Sequence, residues 1–188
     1  MEFPERYGFI VQPSAFMVRA CIKDGLLWAA DNGAYGGFDA ESYEVMLHNH
    51  LPWLNTCLFA VVPDVMADHG ATMQLWEQWK PRVEGMGYPV AFVAQNGCDF
   101  VPWDELDALF IGGTDYFKDK EAVPIIKEAQ RRGVWTHVGR VNGRRRTRYC
   151  LQLGVQSIDG TGFAIEPQGK LRQYQSWIAE WEAQRRLF

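Results

Sequence analysis

Eight short apolar runs recur along this chain, and each is long enough to form one buried strand. They are rich in Val, Ile, Phe and Leu and lack a strict polar alternation, which is typical of strands covered on both faces of a parallel sheet. The runs are residues 8–11, 15–22, 26–30, 57–62, 90–94, 108–111, 134–138 and 155–158. This pattern predicts a parallel sheet at the centre of the fold.

Segments of helical character follow most of the later runs. They are residues 39–51, 71–85, 119–132, 144–153 and 173–187. Gly133 and Gly154 follow two of these segments, as expected of helix ends. The segment 173–187 places Trp177 and Trp181 four residues apart, which predicts an amphipathic C-terminal helix.

Strands that alternate with helices predict an α/β fold. A (β/α)8 barrel usually needs roughly 250 residues, whereas this chain has 188. The first three runs are joined by short connections rather than by full helices. We therefore expect a compact (β/α)8 TIM-like barrel with shortened βα units, formed as a single domain over residues 1–188.

Composition narrows the functional classes. The chain is 47% hydrophobic and 22% charged, which excludes a disordered or fibrous protein. The N-terminal residues Glu2, Glu5 and Arg6 and the lack of a long apolar run predict no signal peptide and no membrane span. The net charge of −4 argues against non-specific coating of nucleic acid. The four cysteines and four histidines lack metal-binding spacings, so no metal and no cofactor are expected.

Polar residues or glycines follow six of the runs. In a parallel fold the carboxyl ends of the strands lie at one edge, where sites are built. The residues concerned are Asp31 with Tyr35 behind it, Asp64, Gln95, Gly112 and Gly113, Gly139 and Arg140 after Val138, and Asp159. We therefore expect a pocket that contains three carboxylates, one amide and several bare backbone positions.

Each of these residues also has a purely structural interpretation. Asp31 precedes Asn-Gly and is typical of a turn, and Asp64 is placed to cap the next helix. Gly112 and Gly113 fit a tight turn. Gln95 and Asp159 are harder to explain in this way, because a buried polar side chain at a strand end needs partners.

A cluster of arginines follows the penultimate run. Its members are Arg140, Arg144, Arg145, Arg146 and Arg148. A solvated helix face would explain it, but the guanidinium fork also suits phosphate oxygens near the last loops of a barrel. His137, inside the run before the cluster, is interpreted as a core or rim histidine.

In sequence order these strand ends resemble the tRNA-guanine transglycosylase superfamily, and more closely its short, zinc-free phage and bacterial relatives that place 7-deazaguanines in DNA. The likeness spans residues 26–164. The tRNA enzymes carry a Cys/His zinc subdomain after the last strand, whereas residues 163–188 contain neither residue type, which favours the DNA branch. The matching segments are DNGAY at 31–35, VPD at 62–64, VAQNG at 93–97, IGG at 111–113, VGR at 138–140 and GVQSID at 154–159.

The resemblance implies a base exchange that replaces guanine in DNA with a 7-deazaguanine derivative. Asp159 would attack C1′ and form a covalent glycosyl ester, and Asp31 would handle the proton of the leaving or entering base. Tyr35 would stack on the base. The edge of the base would be read by Asp64, Gln95, Gly112, Gly113, Val138 and Gly139. The arginine cluster would hold the flanking phosphates of a flipped or single-stranded nucleotide.

Other functions fit the same residues. A nucleoside or N-glycoside hydrolase would use the same carboxylates, and a non-catalytic nucleic-acid-binding accessory would keep the fold alone. The expected partners are DNA and a free 7-deazaguanine base, with a homodimer or an accessory protein left open. The expected location is the cytoplasm, or the host cytoplasm for a phage protein.

Overall fold

The computed structural model describes residues 7–14, 19–160, 162 and 167–185. The strands are β1 (Phe9–Val11), β2 (Trp28–Ala30), β3 (Cys57–Val61), β4 (Val90–Ala94), β5 (Ala108–Ile111), β6 (Trp135–Val138) and β7 (Ser157–Ile158). The helices are α1 (Ala20–Lys23), α2 (Ala40–His50), α3 (His69–Gly85), α4 (Ala122–Arg132), α5 (Arg144–Gln152) and α6 (Pro167–Arg185). Two 3₁₀ segments lie at Ala34–Gly36 and Leu51–Thr56, and a π turn lies at Phe117–Glu121.

The seven strands form one sheet in which every neighbouring pair is parallel and the spatial order follows the chain order. Parallel neighbours need a crossover connection, and α2 to α5 provide it for most of the sheet. The predicted α/β class with a parallel sheet is therefore confirmed.

The predicted closed barrel of eight βα units is wrong. In the run at 15–22 the described residues do not form a strand, because Ala20–Lys23 is a helical turn that buries Ile22; residues 15–18 lie outside the described part. A short apolar run has the same composition in a buried helix as in a strand, so the pattern could not separate the two. Among the described residues β1 pairs only with β2 and β7 only with β6, so the sheet is an open half-barrel.

The open sheet is nevertheless strongly curled. Phe59 on β3 and His137 on β6 have ring centroids 5.5 Å apart, whereas three strand spacings in a flat sheet amount to about 14 Å. The concave face therefore holds its own apolar cluster. That cluster contains Ala29, Phe59, Val61, Ala91, Val93 and Ala108, with Phe110 packed against it.

The convex face carries the larger core. Alternate strand residues such as Ala60, Phe92 and Leu109 pack there against the helices and are buried. Trp76 and Trp79 of α3 contribute the largest side chains to this layer. Because side chains alternate between the two faces of a strand, burial on both faces explains the continuous apolar runs.

Capping residues define several helix ends. Asp39 accepts a hydrogen bond from the backbone N–H of Ser42 at the start of α2 (3.2 Å). Gly133 and Gly154 adopt left-handed φ angles of 71° and 72° after α4 and α5. The C-terminal helix begins earlier than the predicted residue 173, and Tyr174 is its buried anchor; residues 186 and 187 of that prediction lie outside the described part.

None of the helices in the described part combines the length and the apolar character that a membrane span requires.

Candidate functional site

The residues that follow the strands lie along the carboxyl edge of the sheet. Asp31 follows β2, Gln95 follows β4 and Asp159 follows β7 directly, while Asp64 comes three residues after β3. The curl brings the two sides of this edge together. The guanidinium carbon of Arg140, after β6, lies 4.7 Å from the ring centroid of Tyr35, after β2.

Asp64 is the centre of a buried network of amides. Its Oδ1 accepts from Nδ2 of Asn32 (2.7 Å), and its Oδ2 accepts from Nε2 of Gln95 (2.6 Å). Burial raises the pKa of Asp64, the two amide hydrogen bonds oppose that shift, and the negative charge of Asp31 adds to it. The carboxylate is thus held rigidly by neutral donors.

Gln95 is itself oriented by backbone. Its Oε1 accepts from the N–H of Ala67 (2.8 Å), and Ala67 has a left-handed φ of 61°. The alternative interpretation of Asp64 as a helix cap is wrong, because Asp68 caps α3 by accepting from the N–H of Ala71 (3.0 Å). The side chain of Asp64 is instead committed to the network.

Asp31 has the turn contact that its sequence context predicts. Its Oδ1 accepts from the N–H of Gly33 (3.2 Å), and its Oδ2 accepts from Nε2 of Gln12 (3.0 Å). The turn does not remove it from the site, because its charge acts on the pKa of Asp64. Asp31 therefore closes a turn and places a half-buried carboxylate at the edge.

Gly112 and Gly139 allow neighbouring side chains to lie close to the backbone. A Cβ on Gly112 would lie 2.6 Å from Nε2 of Gln95, and a Cβ on Gly139 would lie 2.8 Å from the Phe110 ring. Gly113 accepts a hydrogen bond from Nη2 of Arg140 at its carbonyl oxygen (3.1 Å). Glycine at these positions therefore leaves the space that the Gln95 amide and the Phe110 ring occupy.

Asp159 lies on the opposite side of the edge from Asp64 and has charged neighbours. Its Oδ1 accepts from the backbone N–H of Arg140 (2.8 Å), and its Oδ2 lies 3.1 Å from Nε2 of His137. Burial raises the pKa of Asp159, but the hydrogen bond to His137, the Arg140 N–H and the Lys118 charge act in the opposite direction and outweigh it. The pKa is therefore lowered, and the group stays ionised at neutral pH.

Two residues of this region, Lys118 and His137, were not predicted as site residues. Lys118, in the π turn before α4, donates from Nζ to the carbonyl of Gly139 (2.7 Å) and is buried. Burial and the charges of Arg140 and Arg146 lower the pKa of Lys118 to about 8. His137 was interpreted as a core or rim histidine, and it is buried, but it also contacts Asp159.

The arginine cluster divides into two parts. The four arginines of α5 have side-chain partners within the chain, whereas Arg140 contacts the Gly113 carbonyl and the Tyr35 ring and has no carboxylate partner among the described residues. The α5 pairs are Arg144 with Glu180, Arg145 with Asp119, Arg146 with Asp115 and Asp119, and Arg148 with Gln184. Arg145 and Arg144 remain exposed, at 82% and 61% of their side chains.

The predicted substrate residue Val138 differs from the others. Its side chain lies in the convex core, and its carbonyl accepts from the N–H of Asp159 (3.3 Å). Only its backbone therefore reaches the carboxyl edge.

Three of the four cysteines are poor nucleophiles in this environment. Burial raises the pKa of Cys57 and Cys150 to about 12 and that of Cys98 to about 11, so these thiols stay protonated at neutral pH. In the described ranges, no group of three or more His, Cys, Asp or Glu side chains is arranged to hold a metal ion.

Comparison with known proteins adds little to this geometry. No protein-family model and no curated protein matches the chain. Among solved structures it is similar to the PaMucR phosphodiesterase in complex with c-di-GMP, with a TM-score of 0.41 and 15% sequence identity. That likeness covers 71% of this chain and 59% of the phosphodiesterase chain, so the chain spans less than two thirds of its neighbour.

Proposed function

We propose that this protein is a base-exchange transglycosylase that replaces guanine in DNA with a 7-deazaguanine derivative. The observation that carries the proposal is the environment of Asp159. It is an ionised carboxylate with one donor beside each oxygen, at the same carboxyl edge of the sheet as Asp64 and Gln95. The order of the matching segments in the sequence supports the same reaction.

In the proposed first step, a carboxylate oxygen of Asp159 attacks C1′ of the target nucleotide. The bond from C1′ to N9 breaks, its electron pair goes to guanine, and a glycosyl ester remains on the protein. N9 of the leaving guanine takes up a proton, and N9 of the incoming base loses one before it displaces the ester. Asp31 is the carboxylate that we assign to this proton transfer.

Asp64 and Gln95 are suited to reading the base. Each oxygen of Asp64 already accepts one hydrogen bond and keeps a further lone pair, which suits the N1–H and amino group of a guanine-type base. The rigid amides around it would leave a base with the wrong donor pattern unsatisfied, which gives strong discrimination. We assign the backbone around Gly112 and Gly113 to the same edge.

Tyr35 and Arg140 are assigned to the nucleotide outside the base-reading pocket. The Tyr35 ring is 73% exposed and is now covered in part by the Arg140 guanidinium. A base that stacks on this ring would displace the guanidinium, which has no carboxylate partner in the part of the chain that the structure describes. Arg140 would then pair with a flanking phosphate.

The test is incubation of the protein with single-stranded or duplex DNA that contains labelled guanine, together with an excess of a 7-deazaguanine base. We expect release of labelled guanine and a protein–DNA adduct that survives denaturation. Asp159→Asn should abolish both. Asp104→Asn is the matched control, because that side chain is 99% exposed and pairs with Arg132 at the end of α4 (3.7 Å).

Different results would identify the alternatives. An abasic site without incorporation of the new base would establish a hydrolase. DNA binding without exchange, and unchanged by Asp31→Asn or Asp159→Asn, would establish a non-catalytic accessory protein and would end the proposal.

A further inference from the structure

A chain of hydrogen bonds runs across β6 and β7 and ends at Asp159. Nε1 of Trp135 donates to Oγ of Ser157 (2.9 Å), which lies 2.8 Å from Nδ1 of His137. Nε2 of His137 lies 3.1 Å from Oδ2 of Asp159. The strand register explains the chain, because His137 pairs with Ser157 and alternate residues of a strand share one face.

Elementary donor and acceptor rules assign the protons of this chain. An indole N–H can only donate, so Oγ of Ser157 accepts from Trp135. Among the described residues, the Ser157 hydroxyl hydrogen has one acceptor, Nδ1 of His137. A neutral imidazole then carries its single hydrogen on Nε2, where it donates to the Asp159 carboxylate.

The imidazole is also fixed in place by its packing. His137 is 2% exposed. Its ring centroid lies 4.7 Å from that of Phe110 and 5.5 Å from that of Phe59. Close packing on both sides prevents a ring flip that would exchange the two nitrogens without movement of the neighbours.

We propose that His137 is a positioning residue that acts as a neutral donor from Nε2, with its tautomer set by Trp135 and Ser157, and aims the carboxylate of Asp159. The nucleophilic role of that carboxylate rests on the proposed function, whereas the tautomer does not.

A neutral donor suits a carboxylate that becomes an ester. When Asp159 forms a bond to C1′, its negative charge is lost, and an imidazolium beside it would be left buried without a counter-charge. A neutral N–H can instead hydrogen-bond to the carboxylate and to the ester carbonyl alike. No proton has to leave or reach His137 in either direction of the exchange.

The test is nitrogen NMR of the full-length protein with ¹⁵N-labelled histidine, at neutral pH and without substrate. His137→Gln identifies the His137 signals. We expect an unprotonated Nδ1 and a protonated Nε2. Ser157→Ala should shift the tautomer populations, because the hydroxyl donor is lost, whereas Ser176→Ala, on the exposed surface of α6, should leave them unchanged. A proton on both nitrogens, or a spectrum insensitive to Ser157→Ala, would overturn the inference.

The rate of adduct formation provides a second readout. Loss of a hydrogen bond to a charged group corresponds to roughly tenfold to hundredfold, so His137→Leu should slow the adduct by this factor. Ser157→Ala should slow it by about fivefold, with the KM for the free base unchanged in both variants. If wild-type protein forms no adduct, the proposed function fails while the NMR result still decides the tautomer. Equal adduct rates in wild type and His137→Leu would overturn the positioning role.

Discussion

Asp64 and Asp159 are carboxylates at the same edge of the same sheet, but their surroundings act on them in opposite directions. Asp64 is held by the neutral amides of Asn32 and Gln95 and lies within the field of Asp31, and its pKa is raised. Asp159 has His137, a backbone N–H and the Lys118 charge around it, and its pKa is lowered. When the environments of two carboxylates shift their pKa values in opposite directions, the two groups commonly have different roles in a site. In the proposed reaction, Asp64 recognises the base and Asp159 attacks C1′.

The largest test of the difference between the two carboxylates is a substitution of Asp64. Asp64→Asn replaces one acceptor oxygen with an amide that faces the donors of Asn32 or Gln95. We expect exchange of guanine to fall by about a hundredfold or more, because mismatched polar groups in a base pocket cost several kcal/mol. The measurement is kcat/KM for the free base.

The outcome of that experiment separates the two carboxylates. With Asp64→Asn, an adduct should still form slowly with guanine-containing DNA. With Asp159→Asn, none should form. An adduct that is lost equally in both variants would remove the distinction.

Gly112 tests the packing around Gln95, the hydrogen-bond partner of Asp64. Gly112→Ala places a Cβ 2.6 Å from Nε2 of Gln95 and 2.9 Å from Cγ1 of Val93. We expect a loss of about 1–3 kcal/mol in the free energy of unfolding, because a well-packed site must shift to accept the methyl group. Denaturant unfolding measures it. Gly85→Ala is the control, since nothing lies within 4 Å of its new Cβ, and its stability should be unchanged or slightly higher.

Arg140 tests the proposed phosphate contact beside Asp159. Arg140→Gly keeps the backbone N–H that donates to Asp159 and relieves the left-handed φ of 59°, so it removes the side chain without removing this hydrogen bond. The slope of log K for single-stranded DNA against log salt should fall by about 0.7, the value of one phosphate contact. The exposed Arg145, which is paired with Asp119, should have a smaller effect when changed to Ala. The reverse order would move the phosphate contact to α5.

The smallest effect is on stability against pH, and its sign differs between the two carboxylates. The pKa of Asp159 lies below the ordinary 3.8, so its contribution is present above that value and is lost as the pH falls through the folded pKa. The pKa of Asp64 lies above 3.8, so its contribution is present below that value and is lost as the pH rises through the folded pKa. Each pKa unit corresponds to about 1.4 kcal/mol.

Unfolding of wild type, Asp64→Asn and Asp159→Asn by denaturant from about pH 3 to about pH 7 checks these signs. The stability of wild type relative to Asp159→Asn should decrease as the pH falls below 3.8. Its stability relative to Asp64→Asn should decrease as the pH rises above 3.8. Two differences that move in the same direction would contradict the comparison.

Much of the sheet could be predicted from the sequence. Seven of the eight apolar runs contain strands, because burial on both faces imposes a composition that a single run displays. Whether the sheet closes into a barrel could not be predicted from the composition of the runs. It depends on whether residues 15–22 form a strand and on pairing between distant edges, and an apolar run does not encode its partner.

The sequence likewise predicted some residues of the candidate site and not others. Asp31, Asp64, Gln95 and Asp159 were predicted because the carboxyl ends of parallel strands meet at one edge. The role of Lys118 was not, since nothing in its charged local sequence indicates burial against the Gly139 carbonyl. His137 and Ser157 form a contact that requires the register of β6 against β7.

Arg140, which has a left-handed φ, makes one contact through its backbone and two through its side chain. The hydrogen bond to Asp159 comes from the backbone N–H, which glycine, asparagine and other residues that tolerate a left-handed φ also supply. The contacts to Gly113 and Tyr35 come from the side chain. In the proposed transglycosylase, a substitution at position 140 that tolerates the left-handed φ would therefore alter the contact to the flanking phosphate and leave the N–H donor to Asp159 in place. The preference for a nucleic-acid substrate would then change while the proposed nucleophile keeps its surroundings.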